Sequence, residues 1–378
     1  MNIPFLDLKA KYTKIKNEIL PEINDVLDNT AYILGKKVQN FESAFATAHE
    51  CKYCYGVGTG TAGNHTVLWA LGVGPGDEVI IPANTFIATA WGATLCGAKP
   101  VFVDCHSESY NIDPEKIEFA ITSKTKAIVA VHLYGQPANM DSLNLLADRN
   151  NLFLVEDCAQ AHISQYNRKP IGGFGIASSF SFYPGKNLGA FGEGGAVMTN
   201  DEQLAKKFKM IRDHGTEQKY IHQIFGHNYR MEAIQGAVLG VKLKHLAQWT
   251  NERRRVATKY RELLSSVEQI KLPKEMDYAK HVYHLFVVQV KSQKSEVRSQ
   301  KRDELQKFLY DNGISTGLHY PIPLHLQPCF EHLGYKEGDF PVAEELAEQG
   351  LSLPMYPELA NDQIEYVCNS IKKFFDNN

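Results

Sequence analysis

Three stretches of this sequence hold residues whose types and spacing could do chemistry. One is Ser179-Phe180-Ser181-Phe182-Tyr183-Pro184-Gly185-Lys186-Asn187-Leu188-Gly189, followed by Gly192-Glu193-Gly194-Gly195-Ala196-Val197. It places Lys186 in a turn bounded by proline and glycine between two strand-like runs, where a side chain can be aimed into a cleft. Lys186 is therefore a candidate reactive amine, although most loop lysines are simply solvated and its partners must decide. The second stretch, Leu152-Phe153-Leu154-Val155-Glu156-Asp157-Cys158-Ala159-Gln160-Ala161-His162, reads as a buried strand ending in two carboxylates. Ligands of open α/β sheets sit beyond the carboxyl ends of the strands, which puts Asp157 where a cofactor would lie. The plain alternative is a helix N-cap, and a turn lysine 29 residues further on weighs against it. The third, Gly56-Val57-Gly58-Thr59-Gly60-Thr61-Ala62-Gly63-Asn64, leaves a strand and opens an apolar helix. Backbone amides and the dipole at such a helix start hold phosphate. The run has neither the Gly-Lys-Ser/Thr of a Walker loop nor the spacing of a full dinucleotide fingerprint, and by itself it is also compatible with a tight turn.

A phosphate cup, a strand-end carboxylate and a turn lysine together form the set that a pyridoxal phosphate site demands. The cup takes the phosphate, the lysine the aldehyde, and the carboxylate keeps the pyridine nitrogen protonated so that the ring accepts electrons. With that set in view, Glu156-Asp157-x-Ala159-Gln160-Ala161-His162, Ser181-Phe182-x-Pro184-x-Lys186-Asn187-Leu188-Gly189 and Gly194-Gly195-Ala196 resemble the signature of the DegT/DnrJ/EryC1/StrS sugar aminotransferases. The resemblance runs from Ile3-Pro4-Phe5-Leu6-Asp7 through His319-Tyr320-Pro321 into the C-terminal part. It implies a fold-type I, aspartate aminotransferase-like α/β large domain with a mixed, mostly parallel sheet, plus a smaller α+β C-terminal domain. It implies Lys186 as the Schiff-base lysine and proton carrier, Asp157 on the pyridinium nitrogen, Gln160 on the ring oxygen and Phe86 stacked on the ring. Gly60, Thr61, Ala62 and Ser181 would hold the phosphate, and Asn228 would reach it from a neighbouring subunit of a homodimer with shared active sites. The family usually carries glycine after Ala161-His162, where this chain has Ile163, so the local turn is expected to differ.

His319-Tyr320-Pro321-x-Pro323-x-His325-Leu326-Gln327 and Tyr183 are similar to segments of members that aminate the 3-position of dTDP-3-keto-6-deoxyhexoses. Lys219-Tyr220 resembles the pair that meets the nucleotide pyrophosphate, and a cation beside a phenol suits a diphosphate. The implied substrate-binding residues are thus Tyr183, Lys219, Tyr220, His319, Tyr320 and His325. The implied reaction is ping-pong transfer from L-glutamate, with pyridoxamine phosphate between the two halves, in deoxyamino-sugar synthesis for lipopolysaccharide O-antigen or S-layer glycan. A 4-aminotransferase on a dTDP- or UDP-4-keto-6-deoxysugar is the alternative. Lys186 argues against a pyridoxamine-dependent dehydratase; Lys186, Asp157 and Gln160 together argue against a sensor that binds without turnover; the glycine spacing argues against a nicotinamide enzyme. No third ligand accompanies His319 and His325, so no metal is expected. Arg253-Arg254-Arg255 reads as a solvated helix face.

Near-continuous apolar runs at 53–57, 78–82, 100–104, 127–131 and 152–156 alternate with helical patterns over 62–71, 86–97, 140–149 and 201–211, as a parallel sheet covered on both faces requires. A longer helix is expected over about 229–247. A helix at 253–264, a strand at 284–290 and a helix at 302–312 then suggest a second domain, with the division at 1–249 and 250–378. The 378 residues suffice for two such cores. A 44% hydrophobic and 22% charged composition with net charge −3 gives no reason to expect nucleic acid. The first residues lack a signal-peptide pattern and no run reaches membrane-spanning length, so a cytoplasmic enzyme without membrane contact is expected. Seven scattered cysteines suit reduced thiols, and Cys51-Lys52-Tyr53-Cys54, without a second pair, reads as core or sheet edge.

Overall fold

The computed structural model describes residues 1–291 and 299–376. Most of the stretch from Lys291 to Lys301, expected as an exposed loop, lies outside the described residues. Two helices missing from the sequence reading open the chain, α1 (Leu8–Asp28) and α2 (Gly35–Ala48). Asp7 caps α1 by accepting from the Ala10 amide at 2.8 Å. There follow β1 (Tyr53–Val57), α3 (Gly60–Ala70), β2 (Glu78–Pro82), α4 (Ile87–Leu95), β3 (Lys99–Val103), the single turn α5 (Pro114–Ile117), β4 (Thr125–Val131), α6 (Met140–Arg149) and β5 (Phe153–Asp157). A small ribbon of β6 (Gln165–Tyr166) and β7 (Lys169–Pro170) precedes β8 (Ala177–Ser181), β9 (Gly195–Thr199), α7 (Glu202–Ile211) and the hairpin of β10 (Thr216–Gln218) and β11 (Ile221–His222).

Seven strands form the main sheet in the order β1-β9-β8-β5-β4-β2-β3. The run from β8 to β3 is parallel, whereas β9 is antiparallel to both β8 and β1. Alternate residues serve opposite faces. Val79, Ile81, Val129 and Val155 pack with α3, α4 and α7, while Ile80, Ile128, Ala130 and Leu154 pack with α2, α6 and α8. Each such side chain contributes about 1.5–3 kcal/mol by leaving water, which is why both faces select for apolar residues.

From the sheet the chain enters α8 (Ala233–Leu264), one 32-residue helix where the sequence suggested two. No proline or glycine lies between Val241 and Leu264 to end it, so helix propagation carries the chain straight across residue 249. Beyond it come β12 (Ile270–Lys271), β13 (Ala279–Lys280), β14 (Phe286–Val290), α9 (Gln300–Asp311), α10 (Pro341–Gln349), β15 (Gly350–Leu353) and α11 (Asn361–Asp376). Antiparallel β12-β14-β15 shares a core with α9, α11 and the end of α8, built on Tyr260, Phe286, Leu305, Leu351 and Ile371. The N-terminal Ile3 joins that core and bridges to Ile314. Among the described residues no helix is long and apolar enough to cross a membrane.

Candidate active site

At the carboxyl end of the parallel strands the chain encloses a cavity of about 790 Å3. Asp157, the last residue of β5, enters its floor and is 4% exposed. Oδ2 accepts from Asn64 Nδ2 at 3.0 Å and Thr89 Oγ1 at 2.8 Å, and Oδ1 from the Ala159 amide at 3.1 Å. Behind them Ser179 Oγ bonds Asn64 Oδ1, and the Thr85 and Thr89 hydroxyls are 3.0 Å apart. The carboxylate is thus held from α3, from α4 and by its own loop. The sequence assigns no role to Asn64, the last residue of the glycine-rich run, or to Thr89, because each meets Asp157 only through the packing of α3 and α4.

Lys186 lines the same cavity. Burial lowers its ammonium to about 8, with Asp157 pulling the other way. Near neutral pH a much larger share of the amine is therefore unprotonated than for an ordinary lysine, as a nucleophile requires.

The cup is built by close approach. Thr59 caps α3, its Oγ1 accepting from the Ala62 amide at 2.9 Å. A Cβ on Gly60 would stand 2.6 Å from Ser181 Cβ, and one on Gly195 2.4 Å from Thr59 O, so both positions require glycine. The Ala62 amide is spent on the cap. The amides of Gly60 and Thr61 remain at a helix start, where N–H groups have no intrahelical acceptor, beside Ser181 on the cavity wall. An anion-sized cradle, an amine and a strand-end carboxylate around one cavity fit pyridoxal phosphate: Gly60, Thr61 and Ser181 would hold its phosphate, Lys186 its aldehyde carbon and Asp157 its ring nitrogen.

Comparison with known proteins agrees. The sequence profile of the DegT/DnrJ/EryC1/StrS aminotransferase family matches residues 13–372. This chain belongs to that family. It is a pyridoxal phosphate-dependent sugar aminotransferase. A Geobacillus stearothermophilus protein named pleiotropic regulatory protein is 46% identical over 377 residues, 99% of each chain. The Streptomyces venezuelae dTDP-3-amino-3,4,6-trideoxy-alpha-D-glucose transaminase is 42% identical, covering 98% of this chain and 96% of that one. The crystal structure of S. venezuelae DesV in complex with ketimine intermediate matches with TM-score 0.94 at 42% identity, covering 99% of this chain and 98% of that one.

Other expected residues of the aminotransferase site sort by position. Gln160 lines the cavity, donating from Nε2 to Tyr320 OH at 3.0 Å and accepting at Oε1 from the Tyr134 amide at 2.6 Å. Phe86, at the start of α4, faces the Tyr320 ring at 5.4 Å. Tyr183 and His319 complete this group. His319 stacks on Phe5 at 5.6 Å, lies 2.9 Å from Ser352 Oγ through Nδ1, and is lowered to about 4 by burial and then by Lys186, so its imidazole is neutral.

His325 does not belong to this group. It is 2% exposed in a 3-10 turn, its Nε2 2.9 Å from Glu344 and its ring edge-on to Phe340. Glu344 also accepts from the Gly338 and Phe340 amides, and that buried carboxylate draws His325 inward, away from the cavity. Lys219 and Tyr220 face solvent at the β10–β11 turn, Tyr220 being 82% exposed, and the ammonium lies 5.1 Å over the phenol ring. Asn228 is exposed and pairs in an isolated bridge with Asp213. Within one chain none of these three lines the cavity.

Arg253 corrects the reading of Arg253-Arg254-Arg255 as a solvated face. Helical spacing sets it beside Trp249, Val256 and Tyr260 on the inner side of α8, where it is 1% exposed and reaches the cavity wall. Its Nη1 donates to the carbonyls of Tyr283, His284 and Met355. Arg254 and Arg255, outside that face, pair with Glu275 and Glu252. Cys51 and Cys54 lie in the core at the β1 edge, and burial pushes the Cys51 thiol up to about 12. His132, Glu156 and Cys158 are buried with ligand-type atoms within 4.8 Å of one another. Glu156 already accepts from His132 and from the Gly172, Phe174 and Gly175 amides, so this group braces the loop before β8. Ile163 takes a left-handed backbone, φ 55°, the conformation that suits the glycine usual at this position.

Proposed function

We propose that this aminotransferase converts a dTDP-3-keto-6-deoxyhexose to the 3-amino sugar with L-glutamate as donor. The observation that carries the reading is the convergence of a lysine lowered to about 8, a triply bonded aspartate and a glycine-built phosphate cup on one cavity. The 3-position and the dTDP carrier are supported by the transaminase relative at 42% identity, whose name specifies both. When bound, the cofactor supplies an electron sink for the bond broken at the amino-bearing carbon. The chain's own residues supply the rest. Asp157, its carboxylate fixed by three donors, would hold the ring nitrogen protonated, Gly60, Thr61 and Ser181 would bind the phosphate, and Phe86 would stack on the ring. The Lys186 Nζ takes a proton from the donor's carbon and later returns one to the sugar carbon. Tyr183, His319 and Tyr320 offer hydroxyl and neutral ring donors to the sugar.

Asn228, Lys219 and Tyr220 act in the cavity of a second copy in this proposal, the first on phosphate and the pair on the nucleotide diphosphate. A homodimer is then the smallest active unit. Ile221 and Phe225 beside them are 50% and 85% exposed in a single chain, an apolar surface that a subunit contact would cover. We place the enzyme in the cytoplasm, divide it into residues 1–249 and 250–378, and assign its product to surface glycan such as O-antigen or S-layer.

The test is to supply L-glutamate with dTDP-3-keto-, dTDP-4-keto- and UDP-4-keto-6-deoxysugars and identify the products by mass and NMR. Amination of the dTDP-3-keto sugar at least tenfold faster than the others is expected. Preference for a 4-keto sugar would overturn the regiochemistry, and no amination with any of them would overturn the substrate assignment.

A further inference from the structure

The His284 side chain lines the cavity with Lys186. Its connection runs through the residue after the lysine. Asn187 Nδ2 donates to the Val282 carbonyl at 3.1 Å, and its Oδ1 lies 3.3 Å from His284 Nδ1. The Asn187 carbonyl in turn accepts from the buried Lys11 ammonium at 3.2 Å. The lysine turn is thereby sewn to the segment leading into β14. A carbonyl can only accept, so the bond to Val282 fixes which way the Asn187 amide faces. Its oxygen then confronts His284 Nδ1, and that nitrogen must carry the hydrogen. The lone pair is left on Nε2, on a ring that lines the cavity with Lys186.

We propose that His284 is a positioning residue for the reacting amine: its Nε2 accepts from Lys186 Nζ and thereby sets the amine's direction and its hold on a proton. This deepens the proposed function and rests on the reading of Lys186 as the reacting amine. The surroundings favour an acceptor. His284 is flanked by Lys186 and His162 from the large sheet's side, Arg253 from α8 and His319 from the segment before the 3-10 turn at 324, none of them a carboxylate. Burial first, and then these groups, hold its imidazole well below the usual range, so it stays neutral and cannot become a rival cation. On the other side of Lys186 stands Asp157, the charge that favours the ammonium. A neutral acceptor opposite it stabilises the protonated amine without adding charge, and it points the amine along one line through repeated proton transfers.

The holoenzyme tests this through the pH titration of the cofactor's visible band, read beside kcat and KM. In His284→Phe the band is expected to persist, with its midpoint lowered by about one pH unit because an acceptor for the protonated form is gone. The kcat should fall about 10- to 100-fold, with KM for the keto sugar within about threefold. His284→Gln, which keeps an acceptor, should restore the midpoint to near wild type. Asn187→Leu, which frees the tautomer, should lower it by a smaller amount and serves if the phenylalanine variant does not fold. An unchanged midpoint in the folded variants, or equal loss with glutamine and phenylalanine, would overturn the proposal. Lys186→Ala separates the two readings: a lysine-dependent band that vanishes there but survives in His284→Phe upholds Lys186 whatever the midpoint does.

Discussion

Asp157 depends on neighbours that are far from it in sequence. Asn64 and Thr89 both donate to Oδ2, and with the Ala159 amide they orient the carboxylate toward the cavity. A carboxylate with two of its donors gone would rotate and be screened by entering water, weakening its bond to a ring nitrogen. Thr89→Val is nearly isosteric and removes one donor, at a cost of about 1–2 kcal/mol in the transition state, or about 5- to 30-fold in kcat/KM. Asn64→Leu should act alike, and the double variant should lose less than the product of the two, since both act on one oxygen. Steady-state kinetics decide this; full activity in both single variants would contradict the role. Lys186 and Asp157 were legible in the sequence because their signals are local, a turn and a strand end. Asn64 and Thr89 were not, because a donor's use depends on where its helix crosses the sheet. Arg253 was misread for a related reason: three consecutive arginines look alike as a run, and only the 3.6-residue period sends the first inward with Trp249 and Tyr260.

Elements of the sheet bring these residues together, and Glu156 anchors the join between β5 and β8. Its carboxylate accepts from His132 Nε2 at 3.0 Å and from three backbone amides, each at 2.8 Å. Burial alone would raise its pKa; the bond and charge of His132 and the amides of Gly175 and Gly172 outweigh it and hold the carboxyl below the usual range. A carboxyl lowered on folding stabilises the native state above the ordinary glutamate range, and the benefit is lost as pH falls through the folded value. Glu156→Gln turns an amide donor toward groups that are themselves donors. It should cost about 2–4 kcal/mol at neutral pH by urea unfolding, and less at pH 4. A loss under about 0.5 kcal/mol at neutral pH would contradict this role. Strands such as β2 and β4 could be read from sequence because burial on both faces leaves continuous apolar runs. The fusion of two expected helices into α8 was harder to see, since the polar stretch Asn251-Glu252-Arg253-Arg254-Arg255 resembles a break while its period keeps Arg253 and Val256 buried.

The whole molecule closes the cavity from two sides. The main sheet contributes Asp157 and Lys186, and the part beyond α8 contributes His284, His319, Tyr320 and Met355, with Phe5 and Leu6 of the N-terminal segment beside them. Arg253 ties the two sides together through the carbonyls of Tyr283, His284 and Met355. Composition and strand rhythm made the large α/β part legible, whereas the proposed reach of Lys219, Tyr220 and Asn228 toward a second copy rests on family resemblance alone, because a subunit contact would leave no periodicity in the chain. If Lys186 carries the transamination, the visible spectrum of the purified enzyme reports it, before and after L-glutamate, for wild type and Lys186→Ala. The wild type should lose its aldehyde-form band with glutamate and regain it with a dTDP-3-keto-6-deoxyhexose, while the variant does neither; a Lys186→Ala enzyme that completes the same cycle would contradict the claim.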